Sequence, residues 1–316
     1  MPKERSSTQA VAAASQLPLR RHSKAARDRS KHVFLLPTVT LILLLSIFPL
    51  IFSLAVAFLS WDLSRLEGGI RFAGLANFVT LVKDARFWNT TRVTVFFVTG
   101  AVALEYVLGL GIALLLNQIS RFRRIFVVIS LMPMMLTPAA VGYVGRMLFN
   151  ESKGPINDII QMLGGPMVPW TSEGALALPS LILVDAWEWT PFMLIVLFAG
   201  LQSLPQEIFE AARVDGASDV QIFRHITLPM LTPVSLTIIL IRGLEAFKLF
   251  DISAVMTGGG PGTATETVTM YAYRVAMKNG NLGYASAIAY SLLIMIVIFS
   301  TIFLNSLRRR TAAGLE

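Results

Sequence analysis

The feature that most limits what this chain can become is a set of six long apolar runs, at about residues 33–60, 91–116, 122–149, 177–201, 233–256 and 284–307. A helix needs roughly 20 apolar residues to cross the ~30 Å hydrocarbon core of a bilayer, and every run meets that length. Lipid offers no partner to a free backbone group, so spanning segments of this length fold as helices. The expectation is an all-α, polytopic membrane protein with six transmembrane helices. Composition agrees: of 316 residues, 54% are hydrophobic and 15% charged, against about 25% charged in a soluble domain. A simple soluble enzyme is excluded.

The net charge of +8 would suit nucleic acid, but the basic residues collect at the ends of apolar runs, where they act as topology signals. Residues 1–32 carry Lys3, Arg5, Arg20, Arg21, Lys24, Arg27, Arg29 and Lys31 against Glu4 and Asp28, and such a stretch is expected to be a mobile tail. The run after it exceeds a 7–15-residue signal-peptide core and reads as a retained span, kinked at Pro37 and Pro49. With six spans both termini share a face. The tail, Arg121, Arg123 and Arg124, the 202–232 loop and Arg308 to Arg310 mark that face as cytoplasmic, with Asn77 and Lys153 outside. The loop itself holds Arg213 and Arg224 but also Glu207, Glu210, Asp215 and Asp219, so span parity rather than its own charge places it. The domain plan is a tail at 1–32, a transmembrane domain at 33–310 and a short tail at 311–316.

Catalytic signatures are missing. There is no cysteine, and His22, His32 and His225 are too few and scattered for a metal cluster. No phosphate-binding G-x-x-x-x-G-K-[ST] occurs; Gly258 to Gly262 is glycine-rich but lacks the lysine and reads as a turn. No metal, cofactor or catalytic residue is expected.

The loop before the fifth run, from Leu204 to Pro229, is the most informative segment. Pro205 and Glu207 suit a helix N-terminus, Gly216 permits a tight turn, and Ser218 or Asp219 can cap a second helix. Pro229 and Pro233 should then reset the direction into the next span. Such a hairpin has little surface of its own to bury and suits a partner's groove.

Glu210-Ala211-Ala212, Asp215-Gly216-Ala217, Phe223, Ile226, Leu228-Pro229 and Pro233 resemble the E-A-A…D-G-A…L-P loop of binding-protein-dependent ABC importer permeases. The resemblance extends from Val33 onward. Phe72-x-Gly74-Leu75-x-Asn77-Phe78, Met132-Pro133, Trp187-x-x-Thr190-Pro191-Phe192 and Glu245 to Asp251 through Pro261 are similar to the carbohydrate branch, and within it to the MalF-like subunit. It implies a MetI-like permease fold in a bacterial inner membrane, a second MalG-like permease, two cytoplasmic ATPase subunits and an extracytoplasmic sugar-binding protein. It also implies that Glu210, Ala211, Ala212, Asp215 and Gly216 form the coupling helix seated on the ATPase, and that this chain performs no covalent chemistry.

Charges inside the runs supply the other candidates. Arg242, Glu245, Lys248 and Asp251 recur every three residues and suit i,i+3 ion pairs. Asp185, Glu188, Trp189 and Phe192 fall on one helical stripe, placing carboxylates beside aromatic rings, a combination that suits sugar hydroxyls and sugar C–H faces. With Lys248, Asp251 and, more weakly, Tyr143 and Pro138, they form the expected substrate path. A sugar, polyol, sugar phosphate or sulfonated sugar would all fit. The rival reading, an ion-driven carrier, calls for inverted repeats and broken helices, which the sequence does not display.

Overall fold

The computed structural model describes residues 35–64, 69–119, 121 and 123–313, with side chains as far as residue 306. The expected tail at 1–32 and residues 314–316 lie outside the described residues. The chain divides at Ala55 into two compact units. The first contains most of α1 (Leu35–Ala57), an apolar helix with a π-helical turn at Leu43–Ile47, immediately before Phe48-Pro49. Proline removes one backbone donor, and the wider turn sits where Pro49 was expected to disturb the helix.

The second unit starts with a small antiparallel pairing of β1 (Leu59–Ser60) with β2 (Arg71–Phe72), then α2 (Ala76–Lys83). Asn77 donates to the carbonyls of Ala57 and Leu59 at 2.8 and 2.9 Å, fastening α2 to the preceding turn. The bundle follows: α3 (Ala85–Gln118), α4 (Arg123–Leu131), α5 (Pro138–Leu148), α6 (Pro155–Met162) and α7 (Gly174–Gln202). After these come α8 (Gln206–Val214), α9 (Asp219–Ala246), α10 (Asp251–Met256), α11 (Val268–Tyr273) and α12 (Leu282–Ala313).

Helices α3 and α7 form the centre. On α3, Ala101, Glu105, Gly109 and Ala113 recur every four residues, all buried. Small residues let helix backbones approach closely, which matters in lipid because burial from water no longer drives helix association. A Cβ at Gly109 would lie 2.6 Å from Met193 Cβ and 3.0 Å from the Leu194 nitrogen. Phe97, Leu181, Leu194, Leu197 and Ile238 complete the packed interior. Outward faces carry exposed Val95, Phe96, Leu108, Ile294, Val297 and Ile298, whereas Glu105, Asp185, Glu188 and Arg242 are buried. That inversion of the soluble pattern suits a hydrocarbon surround.

Two expected spans are corrected. Among the described residues five helices are long and apolar enough to cross a membrane, α1, α3, α7, α9 and α12. The expected third span, 122–149, is instead α4 and α5 separated by a 3-10 turn at Pro133–Met135, because Pro133 and Pro138 each remove a helical donor. The expected fifth span, 233–256, starts earlier and stops earlier. Its helix runs unbroken from Asp219 through Pro229 and Pro233, a π-helical turn at Phe223–Thr227 preceding Leu228-Pro229, and ends at Ala246. The prolines therefore do not redirect the chain; the second helix of the hairpin is the beginning of the span.

A polar knot fixes the N-terminus of α3. Asp84 caps the helix by accepting from the Arg86 nitrogen at 2.8 Å, and accepts the hydroxyls of Tyr271 and Tyr284. Burial alone would raise the Asp84 carboxyl, but the hydrogen bonds from Tyr271, Tyr284, Arg86 and Phe87 outweigh it and hold the carboxyl below its ordinary value. Burial, and then the bond to Asp84, push Tyr271 up to about 12. Beside it, fully buried Glu266 receives Arg86 in a two-pronged bond and Arg274 at 2.6 Å.

Candidate functional site

Two regions bring the sequence candidates together. The first is the hairpin of α8 and the start of α9. Pro205 precedes the first turn of α8, Glu207 lies in that turn and Arg213 in the last, each complementing the helix dipole. Its end is a complete Schellman motif: Ala217 N–H bonds to the Ala212 carbonyl at 2.9 Å and Gly216 N–H to the Arg213 carbonyl at 3.1 Å. Gly216 has φ +79°, a conformation an ordinary side chain resists, while the space around it is open. Its requirement is therefore backbone conformation within this chain. Ser218 then caps α9 in a capping box with Gln221. Among the predicted coupling residues Glu210, Ala211, Asp215 and Gly216 are exposed and Ala212 is half-buried; α8 buries no residue.

The second region is a cavity of about 140 Å³ where both helix breaks meet: Pro138 at the start of α5, and Ala246 with residues 248–252 across the gap between α9 and α10. Non-helical backbone at membrane depth is tolerated where it lines a cavity or is covered by protein. Asp185, Glu188, Trp189, Arg242, Glu245, Lys248 and Asp251 line it as well. Of the predicted path residues it thus gathers six: Asp185, Glu188, Trp189, Lys248, Asp251 and the weaker candidate Pro138. Phe192 is outside the lining and packs edge-to-face on Trp189, with ring centroids 6.4 Å apart. Tyr143, on α5, is outside it too and 64% exposed.

The charge ladder is only partly realised. Lys248 and Glu245 pair at 2.7 Å on an exposed face, but Arg242 turns inward. Its Nε and Nη2 donate to Glu105 at 2.8 and 2.9 Å, and Nη2 also bonds Asp185. The guanidinium lies 4.9 Å from the Trp189 ring centroid, a cation–π contact. Asp185 and Trp189 thus hold Arg242 as well as facing the cavity, and because the helix ends at Ala246 the repeat goes no further than the Glu245–Lys248 pair. Glu188, 1% exposed, leaves Oε2 without a partner.

Glu105 and Glu266 were missed by sequence reasoning. Glu105 had a signal: it is the one carboxylate inside the 91–116 run and falls in register with small Ala101, Gly109 and Ala113, spaced every four residues. Glu266 had none, since one partner, Arg86, lies 180 residues away and the other, Arg274, eight residues on, a spacing that no helical repeat links to a residue preceding α11.

Five helices long and apolar enough to cross a membrane, with an exposed helical hairpin continuous with one of them, define the class: a polytopic helical membrane protein. The chain belongs to the family described as binding-protein-dependent transport system inner membrane component, which it matches over residues 105–312. It is 34% identical over 274 residues to the trehalose/maltose transport system permease protein MalF of Thermococcus litoralis, covering 87% of this chain and 92% of that one. It is 32% identical over 285 residues to the sulfoquinovosyl glycerol transport system permease protein SmoG of Agrobacterium fabrum, covering 90% and 92%. Its fold matches the crystal structure of a bacterial ABC transporter involved in the import of the acidic polysaccharide alginate, with TM-score 0.79, 22% identity and coverage of 90% and 97%. The expected MetI-like permease class holds.

Proposed function

We propose that this chain is the non-catalytic transmembrane subunit of an ATP-driven sugar importer, forming half of the translocation path with a second permease. Two ATPase subunits bind its cytoplasmic side, and an extracytoplasmic binding protein delivers the sugar. The relatives' names, trehalose/maltose and sulfoquinovosyl glycerol, support carbohydrate as cargo. The carrying observation is continuity: α9 begins in the exposed Gly216–Ser218 turn and reaches the polar cavity without a break. Displacement of α8 by a closing ATPase pair would shift the floor of the cavity through one rigid helix.

In this reading Glu210, Ala211, Ala212, Asp215 and Gly216 meet the ATPase. Asp185, Glu188, Trp189, Lys248 and Asp251 line the sugar path, with Phe192 supporting Trp189. Both termini and the hairpin are cytoplasmic. Broken helices also mark gradient-driven carriers, but membership of a binding-protein-dependent family favours ATP as the energy source.

The test is uptake by the assembled importer carrying substitutions at Gly216. Gly216→Leu is expected to abolish uptake at normal membrane abundance, because a left-handed φ costs an ordinary residue roughly 1–2 kcal/mol and the Schellman turn opens. Gly216→Asn, which tolerates that conformation, is expected to retain much of it. Normal uptake by Gly216→Leu at normal abundance would remove the coupling assignment.

A further inference from the structure

The cavity at the two helix breaks has an unequal charge ledger. Its lining carries four carboxylates, Asp185, Glu188, Glu245 and Asp251, against Arg242 and Lys248. Both cations are engaged. Lys248 is paired with Glu245, and Arg242 divides a single positive charge between Asp185 and Glu105, the latter from behind the wall. What faces the space is acceptor-rich: Glu188 is almost fully buried, with Oε2 unbonded, and Asp251 stands across the break. A buried acceptor without a partner calls for a donor. A hydroxyl supplies one; a phosphate, sulfonate or carboxylate supplies none and adds like charge where water is scarce.

We infer that this cavity is an anion-excluding constriction, so that the sugar passing it carries no phosphate, sulfonate or uronate group. The inference rests on the reading of the cavity as the path. It decides a point on which the relatives differ, since their names cover both uncharged and sulfonated cargo. Neutral polyhydroxyl solutes fit: their hydroxyls donate to Glu188 and their C–H faces lie against Trp189.

The chain's lack of cysteine makes the local potential measurable. Phe250→Cys, and separately Pro138→Cys, place a thiol on opposite sides of the cavity in the assembled importer, its partners made cysteine-free. Each is reacted with methanethiosulfonates of similar size bearing a hydroxyethyl, an ethylammonium or an ethylsulfonate group, in nucleotide-free and nucleotide-trapped states. Rates are normalised to those of a free thiol. The neutral reagent is expected to react, and the cation to outpace the anion by about tenfold or more, as acidic clefts do for counter-ions. Adding Glu188→Gln with Asp251→Asn should bring that ratio close to one. Equal ionic rates, with the neutral reagent reacting, would overturn the charge inference and leave the path reading intact. Failure of the neutral reagent at both positions in both states would overturn the path reading and the inference with it.

Discussion

At the scale of single residues, Arg242 shows how costly polar groups are made tenable in lipid. One guanidinium joins α3, α7 and α9 through Glu105 and Asp185. Removing one member of a buried charge group leaves the others unpaired, which costs about 3–5 kcal/mol. Arg242→Met is therefore expected to lower the thermal unfolding temperature of the solubilised complex sharply, and adding Glu105→Gln with Asp185→Asn to recover most of the loss. The Asp84 knot predicts an acid effect of definite sign. Because its folded value is depressed, its contribution is fully present above the ordinary 3.8 and is lost as pH falls through the lower folded value. Melting temperatures of wild type and Tyr271→Phe should differ at neutral pH, begin to approach one another near 3.8 and converge as pH falls through the lower folded value. Asp185, Glu188 and Trp189 were legible because helical spacing gathers them on one stripe. The pairing of Arg242 with Glu105 was not, because the two are 137 residues apart in sequence, and periodicity reports only neighbours on the same helix.

At the scale of elements, long apolar runs were legible and their interruptions were not. A run supplies hydropathy whether its helix is whole or broken, so 122–149 and 233–256 read as simple spans. Proline gave mixed guidance: Pro133 and Pro138 each open a new element at the break between α4 and α5, whereas Pro229 and Pro233 are absorbed within α9. The distinguishing condition lies in packing and in the π-helical turn, neither of which a single sequence prints. Close packing of α3 on α7 gives a sharper expectation. Gly→Ala in a helix gains up to about 1 kcal/mol of propensity, but at Gly109 the methyl meets Leu194 backbone that cannot swing aside, and overpacking costs about 1–3 kcal/mol. Gly109→Ala should destabilise the complex in thermal unfolding. Gly111→Ala, which meets nothing within 4 Å, should be neutral or mildly stabilising.

At the scale of the whole molecule, the proposed orientation puts Glu210 in the cytoplasm and Lys153 outside, and both side chains are exposed. Glu210→Cys is expected to resist an impermeant thiol reagent added to intact cells and to react once the membrane is opened, while Lys153→Cys reacts from outside. The opposite pattern would invert the topology. The unbroken length of α9 has a mechanical meaning. At 1.5 Å per residue, its 28 residues make a beam of about 42 Å. Pivoted near the hairpin, a tilt of about 5° would carry the far end by roughly 4 Å, comparable to the width of a sugar hydroxyl's reach. In the proposed coupling, a small angular input at the hairpin end would be converted by leverage into a displacement large enough to open or close a space of cavity size, with no bending of the helix and no need for its prolines to act as joints.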